Sequence, residues 1–276
     1  MRLATIRQAD GTTAAARIEG DELVVLPAPD VIAVLTETGW RDTAGAVDGE
    51  RLPLAGVDLA PIVRPSKVIC VGLNYRSHIE EMGRELPEHP TLFIKFPETL
   101  TGPYDDLVIP SVSRAVDWEV ELGVIVGAPA YRVDEAEAAA CIAGYTVVND
   151  ISMRDWQVRT PQWDQGKNFE ASTPVGPYLV TGDEIGDAAD LEVTTRVDGE
   201  TMQSGRTCDL LFKPAAIVSY ASQFTTLRPG DLIATGTPSG VGAGRNPKIF
   251  LAAGQLLETA IEGIGACRNL MVEDKG

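Results

Sequence analysis

Asp117-Trp118-Glu119-Val120-Glu121-Leu122-Gly123-Val124 is the stretch that decides the fold, and its apolar character runs on through Val126 to Gly127. Side chains alternate faces along a strand, so Val120, Leu122, Val124 and Val126 share one face, which reads as core. Glu119 and Glu121 share the other, roughly 7 Å apart along the strand. Two carboxylates side by side repel unless water solvates them or a cation bridges them. The pattern is therefore either the wet face of an antiparallel sheet or a hard-cation site. A third acid, Asp150, ends the apolar run Tyr145-Thr146-Val147-Val148-Asn149. An acid at a strand end can reach a pocket or cap the next segment. Three carboxylates with no His or Cys nearby in sequence suit Mg²⁺, Mn²⁺ or Ca²⁺ rather than zinc.

Outward from this stretch the chain reads as strand-rich. Strands are expected at 67–72, 91–96, 143–149, 175–181, 191–197 and 231–235, with a closing hairpin over 256–263 and 267–272. Asp198-Gly199 is a hairpin turn. Helices are expected at 74–82, 134–140 and 214–224, and residues 97–110 and 161–174 read as loops. Residues 1–62 read as a small N-terminal α/β module, with three short strands and a helix after an Asp30 N-cap. Pro61 and Pro65 mark a boundary near 63, and 63–276 form the larger domain. Helices and strands do not alternate regularly, so the expected class is α+β, mainly β.

The 276 residues carry 40 acidic and 23 basic side chains, a net charge of −17. Such a surface argues against nucleic-acid or anionic-membrane partners. An anionic substrate would need a locally positive pocket or a metal. No apolar run is long enough for a bilayer, and the charged N-terminus does not read as a signal peptide. Cys70, Cys141, Cys208 and Cys267 form no C-x-x-C pair. They read as small buried hydrophobes in a reducing, cytoplasmic protein.

Other residues offer chemistry. In Asn74-Tyr75-Arg76-Ser77-His78-Ile79-Glu80-Glu81, a helix puts His78 and Glu81 three apart on one face, where a carboxylate can orient an imidazole. His89, the only other histidine, reads as an exposed loop residue. Gly236-Thr237-Pro238-Ser239-Gly240-Val241-Gly242 opens no helix and is not a nucleotide-binding glycine motif, but its amides could cradle a carboxylate. Lys167 sits in the polar 161–174 loop. There is no G-x-S-x-G nucleophile elbow.

Six segments in register resemble the fumarylacetoacetate hydrolase family over about residues 65–273. They are Val71-Gly72-Leu73-Asn74-Tyr75-x-x-His78-x-x-Glu81, Phe93-Ile94-Lys95, Asp117-x-Glu119-x-Glu121-Leu122, and Asn149-Asp150-x-Ser152-x-Arg154-Asp155-x-Gln157. Gly166-Lys167-x-Phe169 with Pro174-Val175-Gly176-Pro177, and Thr235 through Gly242, complete the set. The resemblance implies the family's mixed β-roll and a homodimer. It implies that Glu119, Glu121 and Asp150 hold Mg²⁺ or Mn²⁺ and that His78 and Glu81 are a catalytic dyad on a lid. It further implies that Lys167 is the active-site lysine and that Arg154, Gln157 and Thr237 hold the substrate. Phe96 follows Lys95 where many members have proline.

The activity expected from this set is hydrolysis of a C–C bond in a 2,4-dioxo acid such as an acylpyruvate. His78 would activate water and Lys167 would stabilise the oxyanion. The alternative keeps the 2-oxo acid and its metal-stabilised enolate but changes the reaction. It would be decarboxylation or isomerisation of oxaloacetate or a hydroxymuconate-type acid, or hydrolysis or dehydration of a 3-deoxy-2-oxo sugar acid. A non-catalytic protein on the same scaffold would have lost His78 or an acid, and all are present.

Overall fold

The structure, a computed structural model, describes residues 1–275. Its centre is an eleven-stranded mixed sheet. The Val120–Val126 strand lies in the middle, antiparallel to Ile142–Asn149 on one side and to Leu232–Ala234 on the other. Beyond Leu232–Ala234 the sheet continues through Val68–Gly72 (parallel) and Thr91–Lys95 (antiparallel). Beyond Ile142–Asn149 it continues through Thr173–Val180. Four strands from the C-terminal half, with Leu107–Ile109 as a fifth, form a second sheet, in the order Glu200–Arg206, Glu192–Val197, Leu256–Ile261, Gly265–Glu273, Leu107–Ile109. The mainly β α+β class is as expected.

Both faces of the central strand are buried. The even-numbered face, Val120, Leu122, Val124 and Val126, packs with Val193, Ile261 and Cys267 of the second sheet and with Ile264 in the turn between its last two strands. The odd-numbered face is covered instead of wet: Ile125 packs with Val31, Val34 and Trp40 from two short helices, Val31–Leu35 and Trp40–Ala46. A strand buried on both sides reads as nearly continuous apolar sequence, as this one does. The solvated-face reading of Glu119 and Glu121 therefore fails.

The N-terminal strands belong to the same sheet. Arg2–Arg7 pairs with Thr173–Val180 in the register Leu3↔Leu179, and Thr13–Glu19, Glu22–Val25 and Arg51–Pro53 follow outward. Asp30 caps its helix as expected, accepting from the Ala33 amide at 2.7 Å. Segments read as loops turn out to hold structure. Leu100–Thr101 and Leu107–Ile109 pair in parallel with Thr173–Pro174 and Met271–Glu273. The helical turn Asp164–Lys167 interrupts the 161–174 loop. These short pieces are stabilised by partners distant in sequence, so they carry no local period. Cys70 and Cys267 are buried, but Cys208 is exposed in a surface turn, contrary to expectation. Among the described residues, no helix is long and apolar enough to cross a membrane.

Leu122 is fully buried at the contact between the two sheets. Leu122→Ala should lower unfolding free energy by about 2–5 kcal/mol, measured by urea denaturation, through lost burial and a residual cavity.

Candidate functional site

Strand register brings the three acids together. Val120 pairs with Asn149 and Glu121 with Val148, so residues 119 and 150 fall opposite each other just past the strand ends. The Asp150 amide donates to the Glu119 carbonyl at 2.9 Å, and Asn149 Oδ1 accepts from the Glu119 amide at 3.0 Å. Carboxylate oxygens of Glu119, Glu121 and Asp150 all lie within 4.8 Å of one another, and all three residues are buried.

Cations surround this cluster unevenly. Lys167 Nζ donates to Glu119 Oε2 at 2.6 Å and to Asp150 Oδ2 at 2.7 Å. Lys95 Nζ, fully buried, donates to Asp150 Oδ1 at 2.6 Å. The Arg154 guanidinium contacts Glu119 Oε1 at 2.7 Å and Asp117 Oδ2 at 2.8 Å. Glu121 accepts only the Gly236 amide, at 2.8 Å, and makes no ion pair among the described residues. Gly236 has φ +99°, a conformation that favours glycine, and this turn aims its amide inward.

The charges respond accordingly. Burial, then the neighbouring Asp150 and Glu119, push the Glu121 carboxyl well above the ordinary carboxylate range. Burial acts the same way on Glu119, but Lys167 and Arg154 outweigh it and hold that carboxyl below its ordinary value. Burial would lower Lys167, yet Asp150 and Glu119 raise it, so it stays charged. A buried carboxylate without a counter-cation is costly. A divalent ion among three hard oxygen ligands would relieve that cost, so the donor set fits Mg²⁺ or Mn²⁺, and Ca²⁺ equally by chemistry.

A cavity of about 510 Å³ opens onto the cluster. His78, Glu119, Glu121, Arg154, Gln157, Lys167 and Thr237 all line it. His78 lies on the short helix Arg76–Glu81, with Nδ1 at 3.0 Å from Glu81 Oε2. Glu81 also accepts the Gly240 amide at 3.1 Å, which docks the helix on the glycine turn. Arg154 Nη1 donates to Gln157 Oε1 at 3.0 Å, and Thr237 Oγ1 accepts from Gln203 Nε2 at 2.8 Å. Each residue singled out in the sequence thus lies at this one cavity, with Asp150 and Glu81 joined to it through their contacts. His89 is exposed and stacks on Tyr220.

Three participants went unassigned in the sequence. Asp117 accepts from the amides of Gly242 and Ala243, at 2.7 and 2.9 Å, and anchors Arg154. Its signal was present: it continues the period-2 series of acids at 119 and 121. Lys95, at the end of an apolar strand, was quoted without a role. Gln203 sits in an ordinary polar strand and gave no signal.

The family model described as fumarylacetoacetate (FAA) hydrolase C-terminal matches residues 67–272. The chain is 45% identical over 215 residues to the mitochondrial oxaloacetate tautomerase Fahd2a of Rattus norvegicus, covering 78% of this chain and 69% of that protein. The solved structure of a fumarylacetoacetate hydrolase from Exiguobacterium antarcticum superposes with TM-score 0.89 at 33% identity, covering 99% of this chain and all of the other. A 5-carboxymethyl-2-hydroxymuconate delta-isomerase from Mycobacterium smegmatis gives TM-score 0.83 at 36% identity over the full length of both chains.

Without metal, a carboxyl whose folded pKa lies above the ordinary 4.5 holds more protons folded than unfolded, so stability erodes as pH rises from there. Glu121→Gln removes that penalty. The thermal midpoint of the metal-free variant minus that of wild type should grow more positive as pH rises from about 4.5 towards neutrality. Saturating Mg²⁺ should reverse the order, because the variant lacks a ligand. A difference flat in pH would contradict this electrostatic account.

Proposed function

The chain belongs to the fumarylacetoacetate hydrolase family, and from that premise we propose that it catalyses divalent-metal-dependent keto–enol proton transfer on a 2-oxo acid. The observation that carries this reading is that His78, paired with Glu81, lines the same cavity as Glu119 and Glu121. With Nδ1–H donating to Glu81, the His78 Nε2 lone pair is left free to act as a base. It takes a proton from C3 of the substrate, the C–H electron pair becomes the C2=C3 bond, and the 2-oxo oxygen takes up the negative charge. Return of the proton to that oxygen gives the enol, and the reverse sequence gives the ketone. A divalent ion held by Glu119, Glu121 and Asp150 would supply Lewis-acid polarisation of the 2-oxo group. Lys167 adds a fixed positive charge beside the developing oxyanion. Arg154, Gln157 and Thr237 orient the carboxylate end. The name of the 45% identical relative favours proton transfer as the net reaction.

C–C bond hydrolysis of a 2,4-dioxo acid is the second reading. It is favoured by the Exiguobacterium hydrolase neighbour and by a cavity large enough for a water beside the substrate. Here His78 would take its proton from water, hydroxide would add to the C4 carbonyl, and the C3–C4 bond would break to release an acid and a pyruvate-type enolate. A homodimer is part of the proposal and is read by sedimentation.

The test follows enol absorbance and pyruvate release with oxaloacetate and an acylpyruvate in Mg²⁺, then in excess EDTA. Activity should be lost in EDTA. His78→Ala should reduce kcat by about 10²–10⁴-fold while calorimetric Mg²⁺ binding is retained. Full activity in that variant would remove the base from the scheme. Pyruvate release from the acylpyruvate without tautomerisation of oxaloacetate would select the hydrolytic reading.

A further inference from the structure

The outer part of the same cavity holds two cations that the chemistry above does not use. Arg84 and Lys248 both line it, both are exposed, and neither makes an ion pair among the described residues. In a chain of net charge −17, two unpaired cations at one cavity stand out against the surrounding surface. The remaining acid of the lining, Asp155, is already engaged by the Ser113 hydroxyl at 2.6 Å and the Arg114 amide at 3.1 Å.

The two cations are held differently. Lys248 lies on a wall tied down before and after it: the Arg245 amide donates to the Gly242 carbonyl at 3.3 Å, the Ile249 amide to the same carbonyl at 3.2 Å and the Leu251 amide to the Val116 carbonyl at 2.8 Å. Arg84 is joined to the helix that carries His78. The Arg84 amide donates to the Ile79 carbonyl at 3.0 Å and the Gly83 amide to Glu80 at 2.9 Å. Gly83 has φ +62°. This is a Schellman C-cap, which ties residue 84 to the last turn of the helix. A pull on the Arg84 side chain is therefore delivered to the segment bearing His78 and Glu81.

We propose that Arg84 and Lys248 form a distal carboxylate subsite, so that this site selects dicarboxylic 2-oxo acids, and that Arg84 converts binding of the second carboxylate into seating of the His78–Glu81 pair. The inference rests on the 2-oxo acid reading above. Energy from a non-reacting end of the substrate is then spent on the reacting geometry, so it appears in kcat and not only in KM. Lys248, on a wall that does not carry the base, contributes to KM.

The experiment compares oxaloacetate and 2-oxoheptanedioate, each against its distal methyl ester, in saturating Mg²⁺. These pairs share a carbon skeleton and differ in the second charge. Wild type should favour at least one diacid over its ester by tenfold or more in kcat/KM. That ratio should fall at least tenfold in the Arg84→Ala, Lys248→Ala double variant. Singly, Arg84→Ala should act mainly on kcat and Lys248→Ala mainly on KM, with Arg84→Lys partly restoring kcat. Calorimetric binding of the same four compounds to wild type is read separately. Mg²⁺-dependent binding with no diacid preference overturns the subsite and leaves the proposed function standing. No Mg²⁺-dependent binding of any of them overturns both. Diacid preference with equal effects of the two single variants on KM alone overturns the seating role of Arg84.

Discussion

Three carboxylates forced together in a dry pocket are the constraint around which this molecule is organised. Left alone, such a cluster would take up protons or come apart. Lys95, Lys167 and Arg154 neutralise two of the three acids through short charge-assisted bonds. Glu121 is left with a backbone amide. The resulting asymmetry separates two neighbouring glutamates, one held ionised and the other pushed towards its neutral form. It is also what gives a divalent cation a place where its charge is needed.

The sheet supplies the accuracy this arrangement needs. The pairing of Val120 with Asn149 sets residues 119 and 150 opposite each other, and a slip of one residue would turn Glu121 to the other face. That register is pinned because the Val120–Val126 strand is buried on both sides, by the second sheet on one face and by N-terminal helices on the other. Residues 1–62 are thus connected to the chemistry through packing, although none of them lines the cavity.

What could be read from the sequence follows from how local each signal is. The alternation at Glu119–Val126 and the acid at the end of the next strand are local patterns, and they led to the cluster. The i,i+3 spacing of His78 and Glu81 is equally local. Alternation left a wet face and a cation site both open at Glu121, because it reports which residues share a face, not what covers it. Farther along the same strand, the cover over Ile125 comes from Val31, Val34 and Trp40, some 90 residues away. The short strands Leu100–Thr101 and Leu107–Ile109 were invisible for a similar reason, since each is defined by a distant partner. Lys95 and Asp117 were in view but had no role until the third dimension supplied their partners.

The glycine turn at 236–243 reaches three separate carboxylates through its amides: Glu121 from Gly236, Glu81 from Gly240, and Asp117 from Gly242 and Ala243. One short span of main chain therefore surveys the ion ligands, the proton-transfer pair and the anchor of Arg154 at once. Gly236 and Gly240 both have φ +99°, and a Cβ on Gly240 or Gly242 would run into the Met202 or Ile249 carbonyl, so three of the four residues that supply these amides are held to glycine. Variation at this turn is consequently confined to the residues between the glycines, of which Thr237 and Val241 line the cavity, while the benchmarks that hold the chemistry stay where they are.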